Sequence, residues 1–543
     1  MKEKKLKKPI LLSSKLRKKD PQSTPLTVNA SNIDNDKVTE NLECNINKLT
    51  ETIGNTKDLI IRELIINHNP FIKGAACYVA GLVDEKLVSD FIIESLIEEP
   101  LEEYTEVQKN DLLDTLEKKI LTVANVSVTN DWNNLIHALL SGKTILFIDG
   151  INQAIEGGTT GGEWRSIEEP TSEITIRGPK DSFNESLKTN ISLIRRRIKS
   201  PHLRPEIFQL GTVSQTDVAI LYIDGIANQK LIQEVKERLN RIEIDDILSE
   251  ATIEELIEDS TFTPFPTIFN TERPDIVANT LVDGRIAIIV DGSPFALIVP
   301  TSFAQFFKAA EDYYQRYDFS TLIRILRYFA FSASLLGPSI YIALITFHQD
   351  LIPTTLVISL AAQREGIPFP AFIEALIMEI TFEVLREAGV RMPRAIGQAV
   401  SIVGALVIGQ AAVQAGIVSA AMVIVVAGTA ISSFTTPSYN IAVAARILRF
   451  AMMFFAATMG LYGILIGLII LVAHLCSLRS FGFPYLAPFG PFILEDQKDG
   501  LFRFPLWARK RRTRLVNQNR PKRMAHGLKP SPFNQKEEVK DEV

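Results

Sequence analysis

Between Ala395 and Ala445 the chain runs for 51 residues without an Asp, Glu, Lys or Arg, although those four types make up 22% of the sequence. A helix that crosses bilayer hydrocarbon needs about 20 apolar residues, so the run has room for two crossings and a tight turn. Arginines close it on both sides (Arg391 and Arg394 before, Arg446 and Arg449 after), and a second uncharged stretch, Phe450 to Leu478, follows. Its Ala, Val, Ile and Gly content predicts membrane helices, not the core of a soluble domain.

The rest of the chain is organised around that fact. Residues 1–50 are basic, then polar, and predict a disordered tail. Only Pro9 to Leu12 is apolar near the start, too short for a signal peptide, so the soluble half is expected in the cytoplasm. Residues 51–300 alternate strand and helix patterns. They predict a cytoplasmic α/β domain, divisible into two small mixed-sheet subdomains over 51–130 and 131–300. TILFIDG (144–150), AILYIDG (219–225) and AIIVDG (287–292) are apolar runs stopped by Asp-Gly, the pattern of strands entering turns. IAIIVDGSPFALIVP reads as a hairpin, because Asp291-Gly292 and Pro294 interrupt it far short of a span. Asp131 is placed to cap a helix running to Leu140, and Asp181 to cap one running to about Lys199.

After this come an amphipathic interfacial linker (301–327, with Arg324 and Arg327 at the headgroups), an all-helical multi-pass membrane domain (328–478), and an aromatic segment followed by a basic cytoplasmic tail (479–543). Four or five spans fit, with 397–415, 417–435 and one final crossing from Phe450 to about Val472 among them. Small residues at i,i+4 spacing suit close helix packing: Ala405 and Gly409, Ala412 and Gly416, Gly463 and Gly467. Gln410 and Gln414 share a helix face, where interhelix hydrogen bonding and a polar pore wall are both open readings. Glu379, Glu383 and Glu387 also share a face. That face either lies in water at the interface or lines a cation path.

Enzyme chemistry finds no foothold. Cys44, Cys77 and Cys476 share no short spacing, and the six histidines form no ligand cluster, so no cofactor or metal is expected. Gly142-Lys143-Thr144 resembles the end of a phosphate loop, but His137 stands where the first glycine belongs and a strand follows where a helix should. Asp149, Asp224 and Asp291 each precede a turn glycine. The cluster Arg195, Arg196, Arg197 lacks the aromatic interleaving of a nucleic-acid surface. It is a candidate contact for a partner, another subunit or membrane lipid.

Several strings carry a resemblance: GKTILFIDG, EEPTSEITIRGPKDSFNESLKTNISLIRRRIKSPHL, LYIDGIAN, FPTIFNTERPD, GRIAIIVDGSPFALIVPTSF, REGIPFPAFIEALIMEITFEVLREAGVRMP, QAVSIVGALVIGQAAVQAG and TPSYNIAVAARILRF. In this order, from about Asp131 to Phe450, they resemble the A subunit of GerA-type spore germination receptors. The resemblance implies a place in the inner membrane of the bacterial spore, beside a transporter-like B subunit and a lipoprotein C subunit. It also implies a homo-oligomer that conducts ions when a partner binds nutrient. A non-conducting scaffold of the same receptor is the alternative. No catalytic motif belongs to that family.

Overall fold

The computed structural model describes residues 37–66, 72–98, 113, 116, 123, 125–161, 169–170, 173–391, 409–514, 516, 520–525 and 527–530. The expected tail over 1–36, and also Gln398 and Ala405, lie outside them.

Apolar runs stopped by Asp-Gly form central strands of two sheets with one plan. The first contains β1 (Leu59–Ile65), β2 (Lys73–Val79), β3 (Val126–Thr129), β4 (Thr144–Ile148) and β5 (Ala154–Gly157), ordered β1-β2-β4-β5-β3. The second contains β6 (Leu203–Leu210), β7 (Thr216–Ile223), β8 (Phe269–Thr271), β9 (Ile286–Val290) and β10 (Ala296–Val299), ordered β6-β7-β9-β10-β8. Every pair is antiparallel. Helices α1 (Leu42–Ile53) and α2 (Trp132–Leu140) serve the first sheet. Helices α3 (Leu187–Arg197), α4 (Gln229–Asn240), α5 (Glu250–Ile257) and α6 (Pro274–Val282) serve the second.

The likeness extends to single hydrogen bonds. Asn45 accepts from the Thr39 amide (2.9 Å) and donates to the Thr39 carbonyl (2.6 Å). Asn190 does the same with Asn184, at 2.9 and 2.6 Å. Asp149 accepts from the Leu42 amide at the start of α1 (3.2 Å), and Asp291 from the Leu187 amide at the start of α3 (2.9 Å). Gly142 (φ 90°) ends α2 and Gly284 (φ 94°) ends α6, each in the left-handed conformation that glycine adopts without strain. The chain is therefore an internal duplication, and Asp149 and Asp291 do more than form turns. Gly142-Lys143 is a helix end leading into a strand, with Lys143 paired to Glu156 at 2.8 Å.

Three expectations are corrected. TILFIDG pairs with β2 and β5, so the first unit runs to residue 157, not 130. Leu42, Leu49 and Ile53 are buried under the first sheet, so the polar-looking stretch before residue 50 contains an ordered helix. Asp181 does not cap: Ser186 caps α3, and Asp181 pairs with Arg197 at 2.6 Å. The hairpin at Asp291-Gly292 is present, and Asp131 caps α2 as expected.

The central strands are apolar throughout because both faces are covered. Ile145 and Phe147 of β4 face a core with α1 and α2, while Leu146 and Ile148 face one with Val88, Ile92 and Ile93. In β9, Ile286, Ile288 and Val290 face α4 and α5. Ala287 and Ile289 face a core shared with helices of the C-terminal half (Phe331, Ile441, Ala444 and Leu475) and with Tyr485 of the segment that follows them.

That half contains α7 (Tyr317–Thr346), α8 (Thr354–Arg364), α9 (Ala371–Arg391), α10 (Ala420–Phe434) and α11 (Tyr439–Ser477). Helices α7 and α11 are long and apolar enough to cross a membrane. The expected single final span is corrected. Gly460, at φ 62° and ψ −139°, breaks α11 into arms 439–459 and 461–477 that fold back on each other. Ile441, Ala444 and Leu475, from opposite ends of α11, meet in one core. A Cβ on Gly467 would lie 2.6 Å from Met452 Sδ, and one on Gly460 would lie 2.7 Å from His348 Cε1 at the end of α7. Only glycine provides both the backbone angle and the space at 460.

Candidate functional site

The start of α7 is where the two halves meet. Arg324 and Arg327 lie three residues apart on one helix face, and Asp312, just upstream, reaches both. Its Oδ2 accepts from Arg324 Nε (3.0 Å) and Nη2 (2.8 Å), and its Oδ1 from Arg327 Nη1 (2.8 Å). Arg324 is fully buried and Asp312 is 2% exposed. The expected interfacial linker with arginines at the headgroups is thereby corrected: 303–307 and 310–313 are short 3₁₀ turns, and the arginines point into a buried ion cluster.

Asp499, from the C-terminal segment, completes the cluster. It accepts from Arg509 Nη2 (2.6 Å), Lys308 Nζ (3.2 Å), Arg324 Nη1 (3.3 Å) and the Tyr313 hydroxyl (2.9 Å). Burial alone would raise its pKa, but Lys308, Arg509 and Arg324 hold the carboxyl well below the usual range. Burial and Asp499 together push the Tyr313 hydroxyl up to about 12. Around this cluster Phe303, Phe307 and Phe331 pack with ring centroids 5.0 to 5.9 Å apart. Burying each such ring stabilises by roughly 2–3 kcal/mol. The second sheet, α7 and the C-terminal segment thus share one core and one charge cluster.

Farther along, the carboxylates of α9 are engaged by arginines. Glu379 pairs with Arg449 (2.5 Å, both 1% exposed), and Glu383 with Arg446 (3.0 Å) and Arg386 (3.2 Å). Glu387 is exposed beside Arg391, and Glu374 takes Arg364 (3.2 Å) and the Ser419 amide (2.9 Å). Glu374 beside Ser419 and Arg386 beside Ser433 (3.2 Å) show that α9 and α10 run parallel.

Gln410 and Gln414 are exposed on the chain's own surface. Gly409 is buried beside Val423, and Ala412 packs on the cluster around Met422. Gly416, at φ 65°, ends a helical turn, and a Cβ there would lie 3.4 Å from the Gly366 carbonyl oxygen. Gly463 and Gly467 lie against Phe455, Met459 and Met452 of the other arm of α11.

The arginine cluster faces inward. Arg195 is 1% exposed and pairs with Asp58 of the first unit (2.8 and 3.2 Å), Arg196 donates to the Gly161 carbonyl (3.1 Å), and Arg197 takes Asp181. Arg195 and Arg196 join the two units within one chain, whereas Arg197 stays with the segment just before α3. Asp58, Asp312 and Asp499 were missed in the sequence. A buried acid near two arginines at i,i+3 was the available signal for Asp312, whereas Asp58 and Asp499 are distant in sequence from their partners.

A duplicated α/β pair docked on a helical body with membrane-length apolar helices defines a membrane-associated protein. The chain belongs to the family described as Bacillus/Clostridium GerA spore germination protein, whose model matches residues 47–515. Spore germination protein KA of Bacillus subtilis (strain 168) is 48% identical over 91% of this chain and 90% of its own. Uncharacterized membrane protein YfkQ of the same strain is 45% identical over 88% and 91%, and spore germination protein GerLA of Bacillus cereus 41% over 84% and 92%. A crystal structure of the N-terminal domain of the A subunit of the Bacillus megaterium spore germinant receptor GerK3 is 39% identical. It covers 49% of this chain and 97% of that one, with a TM-score of 0.39.

Proposed function

We propose that the chain is the A subunit of a nutrient germinant receptor in the spore inner membrane, and that its helical body conducts cations as a homo-oligomer. One observation carries this reading. In the uncharged run, Gln410 and Gln414 lie exposed on the outer surface of a single chain, while Glu379 and Glu383 are neutralised by Arg449 and Arg446. Amide side chains facing acyl chains are unfavourable, so this face belongs against a neighbouring copy or along a water-filled path. A transporter-like B subunit and a lipoprotein C subunit are the partners; B carries the nutrient, and the Asp312 cluster passes its state between the soluble units and α7.

The test uses the full chain reconstituted in liposomes, alone and with B. Cation flux is expected, and Gln410→Leu with Gln414→Leu should change it without preventing assembly. Absence of flux in every oligomeric state, with or without B, would favour a non-conducting scaffold.

A further inference from the structure

Beside the Asp499 cluster lies a cavity of about 670 Å³, walled by the turn before β9, the segment after β10 and the C-terminal segment. A second cavity of about 240 Å³ shares its inner residues Arg285, Lys308, Asp499 and Arg509. The larger volume falls in the range of small-ligand sites.

The charges around it do not balance. Asp312 and Asp499 are the carboxylates of the inner cluster, and Arg324, Arg327, Lys308 and Arg509 already engage them. Arg285 is a fifth cation there. It is 5% exposed, and its Nη1 is buried without a hydrogen-bond partner. The other acids on the wall are committed too. Asp283 pairs with Arg523 (2.7 Å), Glu495 with Arg511 (3.3 Å), and Asp496 accepts from the Arg514 amide (3.2 Å). At the rim Lys510 and Lys529 add exposed positive charge. The carboxylates nearest Arg285, Asp283 and Asp499, are shared with Arg523, Lys308, Arg324 and Arg509, so its buried guanidinium is under-compensated, and an anion with several oxygens answers cations converging from different segments.

We propose that this cavity binds a phosphate-bearing anion, with Arg285 as its deepest contact and Lys510 at its mouth. The phosphate has two possible sources. The wall continues into exposed Phe504, Leu506 and Trp507, and Thr321 of α7 donates to the Arg503 carbonyl (3.1 Å). The site therefore sits near the level where α7 leaves the soluble half, within reach of a lipid headgroup as well as a soluble anion.

The experiment measures thermal unfolding of the full chain in neutral detergent. Inorganic phosphate, or dihexanoyl phosphatidylglycerol, is expected to raise the melting temperature. Chloride at equal ionic strength and dihexanoyl phosphatidylcholine should not. A response to phosphate alone identifies a soluble anion, and a response to the glycerol lipid alone identifies a headgroup. Arg285→Gln should weaken binding about tenfold without lowering the unliganded melting temperature, and Lys510→Gln, at an exposed position, about threefold. The site is overturned if neither compound acts, or if affinity is unchanged in both variants.

Discussion

The two sheet units share strand order, helix caps and closing glycines, yet they differ in what lies against them. Among the described residues the first keeps its apolar cores to itself: both are built from residues 38–155. The second opens one face of its sheet onto α7, α11 and the C-terminal segment, so Ile289 and Phe331 belong to the same core. Between the units the named contacts are polar, led by Asp58 with Arg195 and Arg196 with Gly161. One fold is thus used twice, once as part of the helical body and once as an attachment. The difference teaches that the second unit should move with α7, whereas the first can shift relative to it.

The sharpest way to break this comparison is at Asp312. Asp312→Ala leaves Arg324 and Arg327 without their shared buried partner and should cost about 5 kcal/mol. Thermal unfolding of the full chain, or its accumulation in membranes, reads this. A loss below about 1 kcal/mol would mean that the cluster does not join the halves. Asp58→Ala strands Arg195 and should cost about 3 kcal/mol. Limited proteolysis should then open the first unit while strands of the second stay protected.

A pH series separates the units further. Glu173, which accepts from Thr271 of the second unit (2.6 Å), is pushed up to about 7, mainly by burial, from an ordinary 4.5. The folded state therefore holds the proton more tightly than the unfolded chain does. Stability from this group is full below 4.5 and falls as pH rises to about 7, by about 1–2 kcal/mol after allowing for partial exposure. Glu173→Gln should flatten that slope in the second unit's unfolding. The smallest effect compares equivalent caps: Asp149→Ala and Asp291→Ala should each cost about 1 kcal/mol, but only Asp291→Ala should alter hydrogen exchange in α7.

Much of this architecture was legible in the sequence. The uncharged run marked the helical body, and Asp-Gly after apolar runs marked β4, β7 and β9. The duplication itself was not legible, because its two copies share capping geometry more than sequence: Thr39 with Asn45 and Asn184 with Asn190 look unrelated until the hydrogen bonds are seen. Gly460 was hidden because glycine is common in membrane helices, and only its positive φ marks the fold-back. The arginines misled in a physical way. Arg195 read as surface charge because its acid, Asp58, stands 137 residues away; for Arg324 the nearer acid, Asp312, lies 12 residues upstream, but Asp499, which completes the cluster, is 175 residues away.

The most direct test is residue-resolved hydrogen exchange on the full chain in a membrane mimic, with denaturant raised in steps. The second unit's β7 and β9 should open together with the base of α7, after β2 and β4 of the first unit have already exchanged. If β7 and β9 open with β2 and β4 while α7 stays protected, the second unit is not part of the helical body, and the account of how the halves are joined is wrong.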